Sequence, residues 1–163
     1  MFHRRNRPIR LFPKTQKVMK KVKISLSDLI NVFDSASQEE RQYLDTETGE
    51  IIRIFDEALG GIDDTKLEKK IETGLNVRYF AIPEQDSHED YKDMSDFTRT
   101  IEDKNFQEKL EIALDGSGAF RRFKNVLSNY PQERDRWFAF KNERIKERVL
   151  EWLHVSELEL VEQ

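Results

Sequence analysis

The stretch DGSGAFRRFK (115–124) combines the residue types that bind phosphate. Two glycines flank Ser117, and Arg121, Arg122 and Lys124 interleave with Phe120 and Phe123. Small residues let the backbone approach an anion. A helix start offers free N–H groups, and guanidinium groups neutralise phosphate charge. Such a site would hold an anion through Ser117, Gly118, Arg121, Arg122 and Lys124. The nucleotide-binding motifs themselves are absent. Arg121 stands where G-x-G-x-x-G needs its third glycine, the preceding segment reads as helix, and there is no G-K-[ST]. The competing interpretation is a helix–turn–helix link with Ser117 as cap.

A helical projection weighs against nucleic acid. At about 100° per residue, Phe120, Phe123, Val126, Leu127 and Tyr130 gather on one face. Arg121, Lys124, Asn125 and Ser128 gather on the other, with Arg122 at the boundary. Base stacking needs aromatic rings on the exposed side, and this projection turns them toward a core.

Other candidate chemistry is sparser. His88-Glu89-Asp90, with Asp86 and Asp93, has the donor types of a metal site, but Lys92 occupies the second histidine position of H-E-x-x-H. Acids at a helix start are already favoured by the helix dipole. The three histidines are scattered, cysteine is absent and no G-x-S-x-G occurs, so no nucleophile–base pair can be named. With 32 Asp and Glu residues, spacing alone selects no acid–base pair. The hairpin rim (Asp45, Glu47, Glu50) reads more simply as a solvated turn. No cofactor motif is present.

These residues must be positioned by a small α+β fold. Leu26, Leu29, Ile30 and Phe33 recur at helical spacing behind Ser25 or Ser27 as cap. QYLDTETGEIIRIF (42–55) reads as a β-hairpin turning through DTETG. LGGIDD (59–64) reads as a loop and 65–72 as a short helix. VRYFAIP (77–83) is a third strand, stopped by Pro83, that pairs with the hairpin into an antiparallel sheet.

The rest reads as about four helices. SHED (87–90) resembles a capping box, Phe106, Leu110, Ala113 and Leu114 share one side of the next helix, and Pro131 opens a long final one. In that last helix Phe138, Ile145, Val149 and Trp152 form the apolar stripe, with Trp137 at its edge. Phe140 lies away from it, so it would mark a partner surface unless another helix covers it. LELVEQ at the end frays or adds an edge strand.

Composition bounds the rest. Apolar and charged residues each make up 37% of 163, a polar balance for a globular chain, yet eleven Phe, four Tyr and two Trp can build an aromatic core. The absence of cysteine excludes disulfides, thiolate nucleophiles and cysteine-bound metal, and a reducing cytoplasm is the expected location. No apolar run approaches a membrane span, and the N-terminal segment lacks a signal peptide's apolar stretch.

Charge is unevenly distributed. Residues 1–18 hold six basic and no acidic side chains, so residues 19–163 hold 22 basic against 32 acidic, a net of −10. The shift at Met19 reads either as a basic, poorly ordered arm for nucleic acid or an anionic surface, or as Met19 being the true initiator. Residues 84–115 hold eleven acids against four bases, and residues 119–153 nine bases against five acids. The two blocks either neutralise each other internally or present a two-signed surface to partners.

Three segments are distinctive: YLDTETGEIIRI, RYFAIPEQDSHEDYKDMSDF and GSGAFRRFKNVLSNYPQERDRWFAFKNERIKERVLEWL. They resemble, in the same order from about Met19 to Trp152, a bacterial family catalogued as uncharacterised protein family number one hundred and fifty-eight. Residues 1–18 have no counterpart in it, which favours Met19 as the start and 19–163 as one domain. The resemblance implies a small soluble bacterial protein and transfers no functional residues. The expectation is a non-catalytic interaction or regulatory module. Anion or nucleic-acid binding around Arg121 is the alternative, and a carboxylate- or metal-dependent enzyme is a further one. Nucleic acid is disfavoured by the net negative charge.

Overall fold

Ser25 starts the first helix as expected: its Oγ accepts from the Asp28 N–H at 3.0 Å, opening α1 (Leu26–Ser35). The computed structural model describes residues 18–55 and 65–161. The basic arm except Val18, the 59–64 loop and the last two residues of LELVEQ lie outside the described residues.

The hairpin forms from β2 (Glu40–Asp45) and β3 (Ile51–Phe55), with Tyr43 opposite Ile52 and Leu44 opposite Ile51. Its turn is anchored on both sides. Gly49 takes φ 78° and donates to the Asp45 carbonyl at 2.8 Å, and a Cβ there would lie 2.1 Å from the Lys23 carbonyl oxygen. Asp45 is buried and takes a forked pair of bonds from Arg78, at 3.0 Å from Nε and 2.8 Å from Nη2. Burial pushes the Asp45 carboxyl up, but Arg78 and the Glu47 N–H outweigh it and hold it below the usual Asp range.

Arg78 leads into β4 (Tyr79–Ala81), which pairs antiparallel with β2 and makes it the central strand of three. This strand is shorter than the expected 77–83, because Val77 and Arg78 lie in a turn whose N–H groups donate to the Gly74 carbonyl. A second, parallel pair joins β1 (Lys20–Val22) to β5 (Leu158–Leu160), so the end of the chain takes the edge-strand option. The apolar signal in KKVKI was too short to predict its partner strand β1.

Five further helices follow in order: α2 (Thr65–Thr73), α3 (Ser87–Arg99), α4 (Lys104–Leu114), α5 (Ala119–Ser128) and α6 (Pro131–Val155). Two caps differ from expectation. Asp86, not Ser87, caps α3, accepting from the His88 N–H at 2.8 Å. Gly118, at φ 76°, precedes α5 with no side-chain cap, so Ser117 does not play that part. A glycine reaches the left-handed region without steric cost, and the turn uses that freedom in place of a hydroxyl.

α6 spans roughly 37 Å at 1.5 Å per residue and belongs to two cores. Its amino-terminal half buries Trp137 among Phe97 of α3, Leu110 of α4 and Phe123 of α5. Its carboxy-terminal half buries Ile145, Val149 and Leu153 against α1, Leu44, Phe80 and Leu158. A third, smaller cluster holds Ile54, Ile71 and Tyr79. Two buried faces on one helix correct the single-stripe expectation. Phe138 is 58% exposed, whereas Phe140 is covered, with its ring centroid 5.6 Å from that of Phe97.

The turn supplies a sharp test. Gly49→Ala places a side chain in the left-handed region and against backbone. It is expected to cost at least about 2 kcal/mol, read as a lowered urea midpoint at unchanged slope.

Candidate functional site

An α-helix brings residues three and four apart onto one face. On α3 this aligns Glu89, Asp93 and Asp96, and on α6 it aligns Lys141, Arg144 and Arg148. The two ladders meet. Arg148 donates to Asp93 Oδ2 at 2.5 Å and pairs through Nε with Glu89 Oε2 at 3.0 Å. Arg144 reaches Asp96 Oδ2 at 3.2 Å and stacks its guanidinium 5.1 Å from the Phe140 ring centre. Lys141 pairs with Asp34 at the end of α1. Asp93 is 4% exposed, so the Arg148 contact is a condition for burying its charge.

Beside this seam lies an open groove of about 330 Å³. Phe33, Ile145 and Trp152 are among its apolar residues, with the Phe33 and Trp152 rings edge-to-face at 5.6 Å. Trp152 is fixed by its indole N–H, which donates to the Ala81 carbonyl at 3.1 Å. Carboxylates crowd the lining: Asp34, Glu84, Asp86, Glu89, Asp90 and Glu151. The single basic side chain lining it is Arg148, already engaged with Asp93 and Glu89.

Asp90 records the imbalance. Burial pushes its carboxyl above the usual Asp range; Lys141 and Arg148 oppose the shift, while Asp93 and Asp34 add to it. The groove is therefore apolar in part, negative overall and short of cations.

A family model described as an uncharacterised protein family, UPF0158, matches residues 19–163. The chain belongs to the UPF0158 family. It is 28% identical over 141 residues to the UPF0158 protein PA5073 of Pseudomonas aeruginosa, covering 86% of this chain and 88% of that protein. It is also 28% identical over 135 residues to a UPF0158 protein of Chlamydia trachomatis serovar D, covering 82% of this chain and 40% of that longer protein. No solved structure matches the chain.

In this UPF0158 chain the residues singled out from DGSGAFRRFK separate into two groups. Arg122 folds back over the link between α4 and α5. Its Nε donates to the Ala113 carbonyl at 3.1 Å, and its terminal nitrogens donate to the Asp115 and Ser117 carbonyls. It closes the carboxy-terminal end of α4, where free carbonyls attract a cation. Arg121 and Lys124 are exposed on α5, and no ion pair with a described residue engages them. Ser117 and Gly118 are exposed in the link. Phe120 is 39% exposed, unlike the buried Phe123, which corrects the projection that put both in the core. The cause is position: Phe120 lies at the edge of the apolar face, about 40° around the helix from Lys124.

The His88 cluster resolves as helix capping by Asp86 and pairing by Glu89 and Asp93. Among the described residues no three His, Asp or Glu side chains are arranged to hold a metal ion. None of their helices is long and apolar enough to cross a membrane. Reading the sequence did not single out Phe33, Asp34, Glu151 or Trp152 as a site. They come from helices more than a hundred residues apart, and only the acid–base complementarity of 84–115 and 119–153 hinted at the seam.

Two predictions test the seam and groove. Arg148→Met leaves the buried Asp93 only the longer contact to Arg144 Nε, at 3.8 Å, and is expected to cost up to about 3–5 kcal/mol in chemical denaturation. The double variant Asp93→Asn/Arg148→Met should recover most of that loss.

Asp90 should behave oppositely. Its raised carboxyl contributes stability that is present below the ordinary Asp range and is lost as pH rises through its raised value. Asp90→Asn should therefore raise the thermal midpoint at neutral pH, and the gain should vanish in melts at a pH below that range.

Proposed function

We propose that this UPF0158 protein is a non-catalytic interaction module whose groove between α3 and α6 takes a basic segment carrying an aromatic or aliphatic side chain. The observation that carries the reading is the composition of that groove. Its lining includes the Phe33–Trp152 pair and six carboxylates, while its one guanidinium is engaged elsewhere. An apolar anchor entering the groove would bury area against the two rings. Flanking lysines or arginines would supply the cations that the lining lacks. A basic ligand would also lower the Asp90 carboxyl toward its ordinary value, so binding relieves an unfavourable half-buried charge.

A second reading, weak anion or nucleic-acid binding at the start of α5, is favoured by Arg121 and Lys124 being exposed and without an ion-pair partner among the described residues. Against it stand the engagement of Arg122 with backbone carbonyls and the net charge of −10 over residues 19–163.

The test is a fluorescence titration, with Trp152 as reporter in a Trp137→Phe background. The probes are a synthetic peptide alternating Lys and Arg with Phe and Leu, and a control carrying Asp and Glu in place of its basic residues. Saturable, salt-weakened binding of the basic peptide alone is expected. Replacing Glu84 and Glu151 by Lys should weaken it about tenfold, about 1.4 kcal/mol. Equal binding of both peptides, or insensitivity to the Glu84→Lys/Glu151→Lys change, would rule the reading out.

A further inference from the structure

The groove suits a basic segment with an apolar anchor, and the surface of the chain itself presents one. Phe120, Arg121 and Lys124 stand together on the first two turns of α5. Phe120 is 39% exposed, and the two cations are exposed and not paired with any described carboxylate. The helix start is held rigidly in place. Arg122 is bonded to three successive features of the link (the Ala113, Asp115 and Ser117 carbonyls), and Phe123 is fully buried between Phe97 and Trp137. The backbone that carries the ring and the two cations is thus ordered before binding, which limits the entropy lost there.

We propose that the occupant of the groove is a second copy of this chain, docked head-to-tail. Phe120 of one copy enters beside Phe33 and Trp152 of the next, and its Arg121 and Lys124 meet the lining carboxylates Glu84, Asp90 and Glu151. The inference rests on the groove reading and adds the identity of the partner. It also gives the two-signed charge distribution a use: the acids that Arg144 and Arg148 leave uncompensated are matched by the cations that α5 leaves unpaired.

The two patches are not placed to satisfy one another within one chain. The link before α5 leans on the Tyr91 side of α3, where the Tyr91 hydroxyl donates to the Leu114 carbonyl at 3.1 Å. The groove acids of α3 lie on the side that faces α6. Each copy therefore offers one groove and one patch. A contact of that kind is heterologous and propagates into a ring or an open chain. Because each full chain carries a net charge of −4, long-range repulsion works against the contact and keeps it weak.

The experiment is sedimentation equilibrium of the full chain across the micromolar range. The wild type is expected to show an average mass that rises with concentration beyond that of one chain. Arg121→Glu/Lys124→Glu removes the patch, and Glu84→Lys/Glu151→Lys removes the groove's charge. All four positions are exposed, and circular dichroism checks that each variant folds.

Each variant alone should sediment as one chain. Mixed together they should associate again, because one intact patch meets one intact groove and the reversed patch also complements the reversed groove. Wild type that stays a single chain throughout, or association that survives the Arg121→Glu/Lys124→Glu change, overturns the proposal. Association abolished by Arg4→Glu/Arg7→Glu/Arg10→Glu, with Arg121 and Lys124 intact, also overturns it and assigns the groove to the basic N-terminal segment. If the basic probe peptide binds while the wild type remains a single chain, self-docking fails and the groove reading stands. If neither occurs, both fail.

Discussion

A carboxylate buried to 4% exposure cannot stay charged without a partner, and Asp93 is such a carboxylate. Arg148 supplies the close partner from the far side of an interface between α3 and α6, and Arg144 Nε stands behind it at 3.8 Å. The Arg148 contact constrains more than the pair. It sets the register of α3 along α6, and that register places Arg144 opposite Asp96 and Glu89 beside Arg148. Where this seam ends, the start of α3, the end of α1 and the carboxy-terminal half of α6 together line the groove.

The long helix is what allows one seam to organise the whole chain. Trp137 lies in the aromatic core of α3, α4 and α5, and Ile145, Val149 and Leu153 lie in the core beneath the sheet. The polar ladder runs along the same helix between Lys141 and Arg148, where the two cores meet. A purely apolar contact there would join the cores without choosing a register, since dispersion and burial are non-directional. Charged hydrogen bonds choose it. The acidic excess that remains once Arg144 and Arg148 are engaged is the charge that lines the groove.

Much of the fold was legible from local pattern. The hairpin followed from Gly49 and the β-branched run around it, α1 from its cap and spacing, and α4 from four residues that are all buried. Misassignment came where tertiary context overrides a local rule. One projection cannot describe α6, because its halves bury different faces, and so Phe138 and Phe140 exchanged fates. The short strand β1 has meaning only beside β5, about 140 residues later. The groove was the least legible part. Phe33, Asp34, Glu84 and Trp152 share no motif, and their chemistry exists only after the seam has brought their elements together.

The basic run in GAFRRFK shows why local charge is a poor guide to function. Arg121 and Arg122 are neighbours with the same chemistry, yet about 100° of helix rotation gives them different surroundings. Arg122 meets the unsatisfied carbonyls at the end of α4, which attract a cation in any protein, and so it is consumed by the fold. Arg121 meets solvent. The same partition runs through the acids: Asp93 is consumed by Arg148, while Glu151 lines the groove and is exposed. What remains after both partitions is a cationic patch with an exposed ring and an anionic groove with two half-buried ones. Neither arises from composition, in which nearly every charge has a nominal partner, but from which charges the backbone can bring together.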